Sequence, residues 1–158
     1  MPAAMIQEHI QSYPQTVNQS AEENEPIQIM GIITNEVTVP KMDGTRVSAL
    51  YKIPFRLSKR PSELWREIFI ATWNHPPKFT TMHRPGIASV YGDKIILDGT
   101  TIEEVRDYHR ETLVLCVDIA NKKEQEITEQ ERIRKENEEM RKNQHYNNVN
   151  SIANKIIF

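Results

Sequence analysis

From Ile27 the chain alternates with period two: Ile27, Ile29, Gly31, Ile33, Val37 and Val39 fall on one face, with Gln28, Thr34, Glu36 and Thr38 on the other. That spacing predicts a half-buried strand. Pro40 to Gly44 carries turn chemistry, with Asp43-Gly44 supplying a positive φ, and Val47, Ala49, Tyr51, Ile53, Phe55 and Leu57 then repeat the alternation. A long β-hairpin is expected, with Pro54 at a sheet edge or a bulge because it has no N–H for the ladder.

At Pro61 the period changes. Leu64, Trp65, Ile68 and Phe69 recur at helical spacing behind Glu63, predicting a helix from about 61 to 73 that Asn74-His75-Pro76-Pro77 ends. Ile87–Tyr91 and Lys94–Leu97 flank Gly92-Asp93, which predicts a second, tight hairpin. Thr100 and Thr101 each precede a glutamate by three residues, the signature of a capping box. Ile102, Val105, His109, Leu113, Cys116 and Ala120 then line one helical face. The β-branched run at Leu113 to Val117 also admits a strand as the lesser reading.

The order β-β-α-β-β-α with short connections predicts an α+β fold, a two-layer sandwich of an antiparallel sheet with two helices on one face. Residues 1–25 are rich in Gln, Asn, Ser and Glu and are expected to be a flexible tail, leaving 26–121 as the globular domain. Lys122 to Asn143 is nearly all charged or amide. It predicts a solvated prolongation of the second helix, without an apolar seam sustained over three heptads. Apolar character returns in the last ten residues, where Val149, Ile152, Ala153 and Ile156 share a face and Ile157 and Phe158 follow. Exposed together they would form a patch that soluble monomers avoid, so this segment is expected to dock on a partner or a second subunit. The competing arrangement folds it back onto its own sheet through a turn near Gln144 to Asn150.

Composition narrows the functional field. The 158 residues hold 20 Lys and Arg against 22 Asp and Glu, a net charge of −2 that removes non-specific nucleic-acid binding as the default. The five glycines stand too far apart for a phosphate-binding loop of either common type. There is one cysteine, no apolar run of membrane-spanning length, and no basic or apolar leader pattern in the first fifteen residues. The expectation is a soluble cytoplasmic protein with no membrane partner and no cofactor.

The charge that remains is uneven. Residues 51–94 hold eight Lys or Arg and three acids. Within them His75, Lys78, His83 and Arg84 share one proline-bounded loop, and Lys59 and Arg60 precede the helix. These six suggest a basic patch for an acidic protein surface or, as a second possibility, a nucleic-acid backbone, with Arg84 as a bidentate fork and Trp73 as a stacking face. Solvated charges balanced by the acidic second helix are the bland alternative. No spacing matches a metal-ligand motif among His75, His83, His109, Cys116 and Asp98, and none is assigned. Cys116 lies seven residues from His109 on one helix, about 10.5 Å along the axis, too far for a nucleophile–base dyad. Asp93, Asp98, Glu103 and Glu104 each have turn or capping work that accounts for them.

The favoured expectation is therefore a non-catalytic interaction module. It binds another macromolecule through the basic loop (Lys59, Arg60, Trp73, His75, Lys78, His83, Arg84) and the C-terminal segment (Ile152, Ile156, Phe158). The alternative is a small hydrolase or nuclease with His75 and His83 as acid and base and Arg84 on an anionic group. Convergence of those three side chains on a concave pocket would favour the enzyme.

Overall fold

In the computed structural model, which describes residues 25–158, the two hairpins and two main helices that the periodicities predict are present, the first hairpin shortened. The strands are β1 (Ile29–Ile32), β2 (Tyr51–Leu57), β3 (Ala88–Tyr91) and β4 (Lys94–Thr100), in one antiparallel sheet of order β1-β2-β4-β3. The helices are α1 (Glu63–Asn74), a single turn α2 (Ile102–Glu104), and α3 (Arg110–Ala153), the last two joined by a π-helical turn, Val105–His109. The fold is α+β. Apart from Glu25, the expected N-terminal tail lies outside the described residues.

One sheet face carries the core. Ile53, Phe55 and Leu57 of β2 and Ile95 and Leu97 of β4 are buried with Trp65, Phe69 and Trp73 of α1 and Leu113, Cys116, Val117 and Ala120 of α3. The other face is wet and laced with ion pairs, Lys52–Asp98, Arg56–Asp93 and Lys94–Glu36. The strand reading of Leu113 to Val117 is excluded, since these residues lie in the packed first turns of α3.

The first hairpin is shorter than its alternation implies. β1 pairs Ile29 with Leu57 and Ile32 with Phe55, is bulged between Ile29 and Gly31, and gives way to a 3-10 turn at Thr34–Glu36. Only the sheet region over the helices rewards burial. Val39 and Val47 lie beyond it at 85% and 63% exposure, so their alternation has nothing to pack against. The turn chemistry itself is real: Gly44 has a φ of 82°, and Asp43 Oδ1 accepts from both Thr45 N and Thr45 Oγ1. Pro54 sits in the interior strand β2, not at an edge. Its carbonyl accepts from Ile33 N at 3.0 Å, and a strand residue's N and C=O share one side. Its missing N–H therefore faces the point where β1 has already ended.

Ser62 caps α1 by accepting from Trp65 N, and Thr101 caps α2 by accepting from Glu104 N. Between the helices, Asn121 Oδ1 accepts from Ile27 N and from Trp65 Nε1 while its Nδ2 donates to Ile27 O. One amide thus fastens the start of the domain and α1 to α3.

Beyond Asn121, α3 continues unbroken to Ala153 and its residues are almost all exposed. From Lys122 this is about 32 residues, roughly 48 Å at 1.5 Å per residue. The expected solvated extension is present, and no turn forms near Gln144 to Asn150, so the last segment does not fold back on its own sheet. The ion pairs along it centre on two arginines, Arg132 with Glu129 and Glu136, Arg134 with Glu131 and Glu138.

Candidate interaction surfaces and a buried His-Glu-Arg cluster

The six basic loop and flanking residues do not form one patch. Lys59 and Arg60 precede the N-cap of α1, whereas His75, Lys78, His83 and Arg84 follow its C-terminus, about 18 Å away along a 12-residue helix. Lys59 borders a cleft of about 890 Å³ whose other charges are Lys122 and four acids, Glu25, Asp118, Glu124 and Glu129.

Trp73 offers no stacking face. Its side chain is fully buried, and its indole Nε1 donates to Arg84 O at 3.0 Å. An indole on the inward stripe of an amphipathic helix gains more by burial than by display. The same peptide region holds the loop from the other side. His83 Nε2 lies 2.7 Å from Trp73 O, and a carbonyl only accepts, so that nitrogen carries the proton. His83 Nδ1 is buried and without a hydrogen-bond partner. Asn74 Oδ1 accepts from Gly86 N at 2.8 Å and closes the loop.

Arg84 has the bidentate geometry its fork suggests, but the carboxylate is internal. Nε reaches Glu104 Oε2 at 3.0 Å and Nη2 reaches Oε1 at 2.7 Å, while Thr100 Oγ1 donates to Oε2 at 3.0 Å. The Arg84 hydrogen bonds hold the Glu104 carboxyl below its ordinary range and raise the guanidinium further. The backbone of Glu104 does the capping work read from the sequence; its side chain does this second task, which only the fold reveals.

His109 is buried, as its place on the apolar stripe implies, yet neither ring nitrogen has a hydrogen-bond partner. It ends the π-helical turn with Nε2 3.5 Å from Glu104 Oε2, beyond hydrogen-bond reach, and its ring meets Trp73 edge-on. Burial pushes its pKa down, and the neighbouring Glu104 only partly offsets this. The folded protein therefore binds fewer protons here than the unfolded chain. The contribution of a neutral His109 is fully present above about pH 6.5, the ordinary imidazole value, and falls as the pH drops through the window below it. A chain carrying His109→Gln should show a shallower loss of thermal midpoint between pH 7 and 5 than the wild type. Parallel slopes would mean that His109 is not the group responsible.

These positions leave the hydrolase reading without the convergence it requires. His75 is exposed at the C-cap of α1, His83 is tied to a carbonyl, and Arg84 is held by Glu104. Among the described residues no group of three or more His, Cys, Asp or Glu could hold a metal ion. The Cys116 thiol is buried and pushed up to about 12 by desolvation, so it is a neutral packing group at physiological pH.

What the protein does present to solvent is His75, Lys78 and a 58% exposed Phe79 on the loop, and the far end of α3. There Val149 and Ile152 are 45% and 53% exposed; the helix ends at Ala153, so Ile156, expected on the same helical face, lies beyond it at 55% exposure, and Phe158 is fully exposed. Among the described residues no helix is long and apolar enough to cross a membrane. No protein family matches the chain, and no curated protein or solved structure matches it either.

Proposed function

We propose that this chain is a non-catalytic interaction module whose partner-binding element is the end of the α3 arm, with the exposed part of the 75–86 loop as a second contact. The observation that carries the reading is the arm itself. Past Glu124, whose carboxylate accepts from Ser62 Oγ, it runs roughly 44 Å with its residues almost all exposed, and it ends in exposed Val149 and Ile152, followed beyond the helix by exposed Ile156 and Phe158. A solvated spacer ending in an apolar stripe is an economical way to reach a groove on another molecule, the helix-in-groove mode. The partner is a protein, because the terminal contact surface is apolar and the basic residues are divided between the two ends of α1. The setting is cytoplasmic, in keeping with a single cysteine and no disulfide.

The test places a photo-crosslinking residue at Ile152 in the native host, with Glu139 as a control site on the same arm. A discrete adduct from position 152 that disappears on Ile156→Asp supports the reading. No adduct, or the same adduct from position 139, overturns it. A chain ending at Asn143 should keep the thermal midpoint of the full chain to within about 1 °C, because the removed residues bury nothing in their own domain.

A further inference from the structure

The middle of the arm carries a second, different face. Ile133 and Met140 are the large apolar side chains there, 44% and 59% exposed and seven residues apart. At about 100° per residue, Ile133 lies some 220° around the helix from the buried Ala120, on the side turned away from the domain. Val149 and Ile152, 29 and 32 residues from Ala120 and still within the helix, lie within about 40° of the buried stripe. The face at Ile133 and Met140 is thus turned about 100° or more from the distal stripe, and the inference below stands whether or not that stripe finds its partner.

With Ile133 and Met140 at d of a heptad, Gln130, Asn137 and Gln144 occupy a, Glu129 and Glu136 occupy g, and Arg134 and Arg141 occupy e. This is a short pattern of about two heptads, in which the a layer is all amide. Its flanking charges are ordered. In a parallel, in-register pair each g residue faces the e residue of the partner's next heptad, which sets Glu129 against Arg134 and Glu136 against Arg141, twice over by symmetry. An antiparallel pair sets g against g and e against e, acid on acid and base on base.

We propose that residues 129–144 form a parallel two-stranded coiled coil with a second copy of this chain. Charge complementarity selects both the occupant and its orientation, and an amide at a favours two strands in register at a cost in stability. The helix is already nucleated by the packed turns of α3, so pairing bears no nucleation cost. Pairing also leaves the core untouched, because the seam faces away from the domain. The intrahelical partners of Glu129, Glu136 and Arg134 are all side chains about half exposed, in ion pairs that are cheap to rearrange. With two apolar residues per strand the dimer is weak and sensitive to salt.

Sedimentation equilibrium on the purified full chain tests this across a concentration series. The weight-average mass should rise toward a dimer with concentration and fall back when salt is raised. Glu129→Arg with Glu136→Arg should abolish the rise, as should Arg134→Glu with Arg141→Glu, and mixing the two variant chains should restore it. Gln144→Cys should crosslink to its own copy under oxidation, which only the parallel register allows. Circular dichroism confirms that each variant keeps its domain. A wild type that stays monomeric throughout, a dimer indifferent to the charge reversals, or variants that fail to complement would overturn the proposal. A chain that is monomeric alone but crosslinks at Ile152 in the host would sink this inference and leave the proposed function standing.

Discussion

Trp73→Ala is expected to lower stability by about 3 to 5 kcal/mol, the range for removing a large aromatic side chain from a packed core. For a domain of this size, at about 4 to 8 °C per kcal/mol, that is a fall of roughly 12 °C or more in thermal midpoint. The size of the effect has two sources. The indole is fully buried among core side chains, and its Nε1 holds the carbonyl of Arg84, so truncation opens a cavity and orphans an acceptor together. Trp73→Phe separates them. It keeps most of the volume, loses the donor, and should cost about 1 to 2 kcal/mol. Chemical denaturation of the two variants measures both figures. An alanine variant within about 1 kcal/mol of wild type would show that the loop and helix end repack around the gap, contrary to the buried position described above.

Glu104→Ala is expected to cost about 2 kcal/mol, measured in the same way. Truncating one member of a fully buried ion pair costs ~3–5 kcal/mol, and this pair is discounted because the Arg84 side chain is 32% exposed, against 13% for Glu104. Arg84→Ala should cost a similar amount by leaving a largely buried carboxylate with Thr100 as its remaining donor. Arg84→Lys keeps the charge and loses the fork, so it should fall between the two. The double variant should cost clearly less than the sum of the singles, since each single already removes the shared interaction. Arg56→Ala is the comparison: its ion pair with Asp93 is half exposed on the wet sheet face and should be worth less than about 1 kcal/mol. Equal effects at Arg84 and Arg56 would show that the Glu104 cluster is solvated in solution.

The elements whose signal is local were legible without the fold. The Gly92-Asp93 hairpin, the Thr101 cap, the Pro76-Pro77 stop and the stripe of Val105, His109, Leu113, Cys116 and Ala120 each depend on residues within a few positions of one another; Ile102, expected on that stripe, is 41% exposed, and the Ser62 cap was not among the expectations. The same is true of the solvated extension, since a stretch with so few apolar residues has little to bury wherever it lies. The α+β class followed from the order of those elements.

What only the tertiary structure decided are the facts that depend on where the helices cover the sheet. Alternation is the same at Val39 and at Phe55, but one lies beyond the helical layer and the other beneath it, so the long hairpin shortens to its covered part. A basic cluster in sequence became two ends of α1, because a helix of 12 residues separates what its sequence merely spaces. Arg84 looked like a free anion-binding fork since its carboxylate, Glu104, is twenty residues away, on the far side of a complete hairpin. Asn121 carries no motif at all, and its three hydrogen bonds exist because the fold brings Ile27 and Trp65 to it. Turns, caps and helical stripes are set by short-range geometry and can be read along the chain; ion-pair partners and exposure are set by contacts between distant segments, and those appear when the chain has closed on itself.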